Sequence, residues 1–363
     1  MSSIQLYVDG VKVYDNGVAM TGDVFAAALQ DAWTNDKTLN WAGGNVTITS
    51  PIVLDATVNK FNFGIRLNGA TIACNFADAT KYALTIQMHT ADGGASYSQG
   101  INVRGFQIVE GHFNAISAYA GAIELKCPTN GSWINSFLLR DIIVEAHSDM
   151  AFRFTGSVFE WVTERLTTDG GKGAMFIQQI GTGAGGTTDQ GLPSAMYLYS
   201  PNFRDFSDDA IVLQGVQAFN DPFDLTIQDG YIVTGGGRGI WAPSGITRVE
   251  GVGFEGLGAT AGKGGMAMDI GYRGGLFRGN RLANNVASSS LSTHLGCAYL
   301  CNLGVAGNVA VFEDNVVQAE GSGSSPKIAN INGNGNVTYL NRQGTTATAI
   351  DNPGGCPIVN ETP

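Results

Sequence analysis

Thr38-Leu-Asn-Trp-Ala-Gly-Gly-Asn-Val-Thr-Ile-Thr-Ser-Pro-Ile-Val-Leu54, followed by Leu67-Asn-Gly-Ala-Thr-Ile72, decides how the chain is read. Apolar residues alternate with polar ones in short runs broken by Gly-Gly and Ser-Pro, as in brief strands that show one face to a core. Just upstream, Asp23-Val-Phe-Ala-Ala-Ala-Leu-Gln-Asp-Ala-Trp33 gathers Val24, Phe25, Ala28, Leu29, Ala32 and Trp33 on one helical face, with Asp23 placed to cap the N-terminus.

Working outward, a pattern recurs in which a small residue opens a strand and the next and third-next positions are apolar. It appears as Ala83-Leu-Thr-Ile86, Ala122-Ile-Glu-Leu125, Ala151-Phe-Arg-Phe154, Ala174-Met-Phe-Ile177, Ala210-Ile-Val-Leu213, Gly239-Ile-Trp-Ala242, Ala267-Met-Asp-Ile270 and Ala298-Tyr-Leu-Cys301. Successive starts lie 39, 29, 23, 36, 29, 28 and 31 residues apart, within the range of solenoid coils. A second series precedes these strands, including Val103-Arg-Gly-Phe106, Leu139-Arg-Asp-Ile142, Phe203-Arg-Asp-Phe206 and Val249-Glu-Gly-Val252. Two alternating strands per coil fit a solenoid with several faces. A β-sandwich would need hairpin turns such as Asn-Gly between neighbouring strands, and these are scarce.

The order of helix, short strand, glycine turn, strand and "NGATI" resembles the entry segment of single-stranded right-handed parallel β-helices. Pectate-lyase-like enzymes and phage tailspike polysaccharide depolymerases begin this way. The resemblance implies an all-β, single-stranded right-handed parallel β-helix whose N-terminal α-helix covers the unpaired edges of the first coil. It also implies homotrimerisation and recognition and cleavage of a bacterial surface polysaccharide. The expected layout is an N-terminal strand, capping helix and entry coil over 1–57, the β-helix over 58–335, and a C-terminal cap over 336–363. The Gly-rich insertions Ala91–Gly100 and Gly181–Ser194 read as surface loops that either wall a groove or are merely tolerated.

Composition narrows the partners. The net charge of −11 disfavours a nucleic acid, whose phosphates it would repel. No apolar run approaches the ~20 residues of a membrane span. The sequence does not open on a basic stretch followed by an apolar one, so a virion tail or another extracellular location is expected. The five cysteines and four histidines show no metal-ligand spacing, and no metal or other cofactor is expected. The cysteines read as buried free thiols.

Candidate site residues follow from strand alternation. With the apolar positions inward, Glu124, Arg153, Phe176, Val212, Trp241 and Asp269 form one outward column, and Lys126, Thr155, Gln178 and Gln214 a neighbouring one. Asp149, Lys172 and Asp208 lie two residues before their strand starts, and Asp209 and Arg238 one residue before theirs. Asp149, Asp208, Asp209 and Lys172 are therefore the candidate catalytic groups. Glu124, Arg153, Gln178, Gln214, Arg238, Trp241 and Asp269 are the candidate substrate contacts. Trp241 offers a ring face on which a sugar stacks. His147 is placed near the same groove, and His112 has no obvious partner.

Asp208-Asp209-Ala210-Ile211 resembles the paired aspartates that open a strand in β-helical polygalacturonases, although that family's Asn-Thr-Asp, Gly-His-Gly and Arg-Ile-Lys motifs have no counterpart here. Crowded carboxylates raise one another's pKa and supply a proton donor for hydrolysis. At ~4.8 Å per coil, Asp149 and Asp208 come ~9.6 Å apart, near the ~6.5–9.5 Å of inverting glycosidases. Two alternatives stay open. A lyase would use Lys172, Arg153 and Arg238 against a uronate. A binding-only or adhesin β-helix would do no chemistry.

Overall fold

The computed structural model describes residues 6–8, 11–14, 21–41, 44–88, 90–91, 96–97, 100–127, 132–178, 195–214, 223–243, 246–258, 268–271, 274–283, 297–303, 309–318, 327–333, 336–340 and 358–360. The chain divides into two compact units. The first is Met1–Gly171 with Gln179–Leu192, and the second is Lys172–Gln178 with Pro193–Pro363.

In the first unit, Ile52–Ala56, Asp78–Met88, Tyr119–Cys127 and Met150–Gly156 stack in parallel as one sheet. Ile123 sits beside Phe152 and Leu125 beside Phe154, so Ala122 and Ala151 occupy equivalent positions. A second parallel sheet joins Gly64–Cys74, Gln107–Ala115 and Trp133–Glu145, and the last pairs with Val158–Glu164 and Thr167–Asp169. In the second unit, Gly173–Gln178, Ile211–Gln214, Ile240–Ala242, Met268–Gly271, Cys297–Leu303 and Lys327–Gly333 form one parallel ladder. Met196–Tyr199, Phe223–Gly235, Ile246–Leu257, Gly274–Arg278 and Val309–Glu313 run through the other. Each unit is a parallel β-helix.

Alternation drives this arrangement. Ile123, Leu125, Phe152, Phe154, Met175, Ile177, Ile211, Leu213 and Ile270 are all buried, as the small-apolar-x-apolar pattern requires. The coils bend where the backbone turns left-handed. Glu110, Asp141 and Arg165 share one such corner in the first unit, with φ of 62°, 54° and 52°. Asp229, Gly251 and Gly279 share another in the second. The interiors differ. Phe106, Phe137 and Trp161 stack at centroid distances of 4.7 and 6.2 Å in the first unit. In the second, buried Asn280 and Asn315 bond to each other at 2.9 Å and to the backbone.

The helix spans Gly22–Thr34 and is capped by Thr21, whose hydroxyl accepts from the Val24 N–H at 3.3 Å. Asp23 instead lies in the first turn, where its charge suits the helix dipole. Phe25, Leu29 and Trp33 face the core; Phe25 meets Trp41 at 5.1 Å and Trp33 meets Phe63 at 5.2 Å. Among the described residues, two features depart from a purely parallel stack. Leu6–Val8 pairs antiparallel with Val11–Tyr14 and with Thr38–Trp41, so a hairpin precedes the helix. Within the Ala91–Gly100 insertion, Thr90–Ala91 pairs antiparallel with Ser96–Tyr97. The Gly181–Ser194 insertion and Ala267 lie outside the described residues.

Candidate functional site

In the second unit, the parallel register sets Phe176, Val212, Trp241 and Asp269 in one row, in which Phe176, Trp241 and Asp269 are half-buried and Val212, expected to be outward, is buried. Gln178 and Gln214 stand beside it, with the Gln178 amide donating to the Gln214 oxygen at 3.3 Å. The row ends at a charged edge. The Asp208 N–H donates to the Lys172 carbonyl at 2.9 Å, and the Ala210 N–H to the Arg238 carbonyl at 2.9 Å, so Lys172, Asp208, Asp209 and Arg238 lie on adjacent coils.

These charges have distinct roles. Asp209 is only 3% exposed and commits both carboxylate oxygens to Arg238. The two guanidinium contacts measure 3.0 and 2.6 Å, and the Arg238 backbone N–H donates to the same carboxylate at 2.8 Å. Arg238 also donates to Asp269, and its guanidinium lies 4.6 Å from the centre of the Trp241 ring. Burial works against the charge on Arg238. The hydrogen bonds and charges of Asp209 and Asp269 outweigh it and hold the guanidinium's pKa above its ordinary value. Gly237 allows the approach, since a Cβ there would come within 2.6 Å of Asp209 Oδ1. This arrangement corrects two expectations. Asp209 is a buried ion-pair partner and not a carboxylate open to substrate. The Trp241 indole already carries a guanidinium on its face. Asp208 is half-buried, with Oδ1 accepting the Asp209 N–H at 2.8 Å, and Lys172 is exposed.

The first unit has a parallel arrangement. Arg153 lies beside Glu124 in register and donates to Asp149 at 2.5 Å and, through Nε, to the Tyr82 hydroxyl at 3.0 Å. Tyr82 is buried, and burial raises its phenol pKa above the ordinary value. Glu124 accepts from the Thr85 hydroxyl at 3.3 Å. His147 does not open onto a groove. It is 4% exposed and packs under Gly171, where a Cβ would come within 2.1 Å of Nε2. With φ of +75°, Gly171 is needed there for its backbone as well as its size.

The histidine passed over in the sequence has the richer surroundings. His112 Nε2 lies 2.9 Å from Glu145 Oε2, and Nδ1 lies 3.2 Å from Thr71 Oγ1. The partners are 33 and 41 residues away, so only the coil register brings them together. Outward on the second unit's other sheet, Tyr197 and Tyr199 stack at 5.8 Å, and Tyr231 is 64% exposed. Among the described residues, no group of three or more His, Cys, Asp or Glu side chains is arranged to hold a metal ion.

No protein-family model and no curated protein sequence matches the chain. Several solved structures are similar to it, among them the following three. An alginate lyase from Paenibacillus sp. str. FPU-7 is 13% identical with a TM-score of 0.45, over 92% of this chain and 96% of that one. The receptor-binding domain of the Siphovirus 9NA tailspike is 10% identical with a TM-score of 0.46, over 92% and 75%. The A-module of a mannuronan C-5 epimerase from Azotobacter vinelandii is 9% identical with a TM-score of 0.31, over 95% and 100%. Likenesses of this order transfer neither a residue nor an activity.

Proposed function

We propose that the protein binds a polysaccharide along the outward row of the second unit and cleaves it at the charged edge beside Lys172 and Asp208. The observation that carries this reading is the row itself. Phe176 and the part of the Trp241 indole that Arg238 does not cover offer apolar surface, Gln178 and Gln214 offer amide donors and acceptors, and both end on a turn bearing a cation and a carboxylate. Sugar rings present C–H faces and hydroxyls together, which is what such a row complements.

Two chemistries fit a polymer held there. Hydrolysis by two carboxylates is the first. The closed pairing of Asp209 with Arg238 favours the second, β-elimination from a uronate, which needs one base and one cation rather than two open acids. Lys172 then neutralises the uronate carboxylate and Asp208 takes the adjacent ring proton. A carbon–carbon double bond forms as the glycosidic carbon–oxygen bond breaks, and the leaving oxygen takes a proton from water to become the new hydroxyl end. Asp149, paired with Arg153, is a carboxylate of the first unit to test for hydrolysis by itself.

A bacterial surface polysaccharide as substrate places the protein on a virion tail or outside the cell, and the tailspike resemblance implies a homotrimer. Light scattering after size exclusion gives the oligomer. No helix among the described residues is long and apolar enough to cross a membrane. The deciding experiment is incubation with a panel of capsular and uronate polymers. Absorbance from an unsaturated uronate, lost in Lys172→Met and Asp208→Asn, supports elimination. Reducing ends alone, lost in Asp208→Asn, support hydrolysis at this edge; loss in Asp149→Asn instead would move the chemistry to the first unit. Binding without either product leaves a carbohydrate-binding β-helix.

A further inference from the structure

Thr71, His112 and Glu145 stand on three successive strands of the first unit, on the outward face of one sheet. Thr71 and His112 are register partners, and Glu145 lies two residues beyond Ile143, the partner of His112 on the next strand. Residues two apart on a strand share a face, so the Glu145 carboxylate reaches diagonally to the imidazole. The buried neighbours Ile72, Phe113 and Val144 fix this orientation from inside. The Tyr119 hydroxyl, donating at 2.8 Å to the Glu145 carbonyl, anchors the end of the third strand.

The order of the contacts defines a chemical direction. A carboxylate accepts only, so the 2.9 Å contact puts the proton of neutral His112 on Nε2. Nδ1 is then an acceptor, and the Thr71 hydroxyl 3.2 Å away is its donor. Carboxylate, imidazole and hydroxyl in that sequence are the elements of an activated oxygen nucleophile. The group is open to solvent, with the His112 side chain 27% and the Glu145 side chain 40% exposed. Asn45, exposed on the neighbouring strand, is the register partner of Thr71 and offers an amide donor for a developing oxyanion.

We propose that Thr71, His112 and Glu145 form an acyl-transfer site that removes a small ester substituent, of the acetyl class, from a larger polymer. The open sheet face fits an ester projecting from a chain better than a free small molecule, which would need an enclosing pocket. Thr71 Oγ1 bonds to the acyl carbon while its proton passes to His112 Nδ1. The bond from the acyl carbon to the alcohol oxygen breaks, and that oxygen takes the proton from Nδ1. Water then adds to the acyl-threonine, giving its proton to Nδ1. The acid leaves as Thr71 Oγ1 is reprotonated. Glu145 is a positioning residue that holds the imidazole tautomer. This site is independent of the polysaccharide-cleaving surface, and either assignment can fail alone.

The test uses the full chain with p-nitrophenyl acetate and with O-acetylated xylan. An acid-quenched reaction should carry an acetyl group on the peptide containing Thr71, located by mass spectrometry. Thr71→Ala and His112→Gln should lower release of p-nitrophenol and of acetate by about 10²–10⁴-fold, the span of a lost general base. Thr71→Ser should restore both, and Glu145→Gln should lower kcat with KM unchanged. Thr71 is half-buried on the outward face, so the Ala and Ser variants decide the matter even if His112→Gln does not fold. Turnover by Thr71→Ala equal to the parent's, or acetyl found only on other residues, overturns the site. Cleavage of the small ester without acetate from xylan overturns its assignment to a polymer.

Discussion

Arg153 in the first unit and Arg238 in the second are built from the same parts in different proportions. Each has an aspartate and an aromatic ring as partners. Arg153 has Asp149 and the hydroxyl of Tyr82, and its side chain is 28% exposed. Arg238 has two aspartates and the face of Trp241, and its side chain is 17% exposed. The deeper cation thus carries the greater negative charge, as desolvation demands, since a buried charge persists only when it is paired and hydrogen-bonded. A cluster of charges on a solenoid face is therefore ambiguous. At Arg238 it centres on the buried Asp209 carboxylate, while at Asp208 it is half-buried and at Lys172 it reaches the surface.

The contrast is broken or sharpened most by Arg238→Met. It leaves the Asp209 carboxylate, 4% exposed, without its guanidinium, and should cost about 3–5 kcal/mol in urea unfolding. Adding Asp209→Leu should recover most of that loss, because the more deeply buried of the two carboxylates is then gone and Asp269, 16% exposed, keeps some access to water. Arg153→Met should cost only about 1 kcal/mol, since the Asp149 side chain is 26% exposed and reaches water. Equal losses at the two arginines would erase the distinction. Lys172→Met should change stability by no more than about 0.5 kcal/mol, as exposed side chains commonly do.

A smaller effect appears in acid at Asp141. Hydrogen bonds from Arg165 lead in holding this carboxyl below its ordinary pKa, with the charges of Arg165 and Arg140 adding to them against a desolvation cost. A group depressed in the folded state binds its proton more readily when unfolded. Its stabilisation is thus full above about pH 4 and is lost as pH falls through the lower folded value. Asp141→Asn should remove that part of the acid sensitivity by lowering the melting temperature at neutral pH and leaving it little changed in strong acid, as read from melting temperatures between about pH 2 and 7.

The interior was legible because one rule governs it. Ala151-Phe-Arg-Phe154 and its counterparts alternate with period two, and the buried positions fell where alternation put them. The pairing of Asp209 with Arg238 was within reach, as both residues immediately precede their strands and the coil length brings them into line. It escaped because outward position was equated with exposure. The His112 group lay further off. Thr71 sits in the entry segment and His112 beyond the Ala91–Gly100 insertion, so no uniform coil length relates them. The N-terminal hairpin was hidden for another reason: Leu6–Val8 and Val11–Tyr14 are too short to show a period.

Cys74 has a consequence for where such a protein can work. Its side chain lies within the first unit's core, and burial pushes its thiol up to about 12. At neutral pH the thiolate, the form that alkylates, oxidises or exchanges with disulfides, is then strongly disfavoured. To a redox buffer this sulfur is close to a methyl group. Its presence records nothing about a reducing or oxidising compartment, and iodoacetamide should label it only as fast as the coil around it opens.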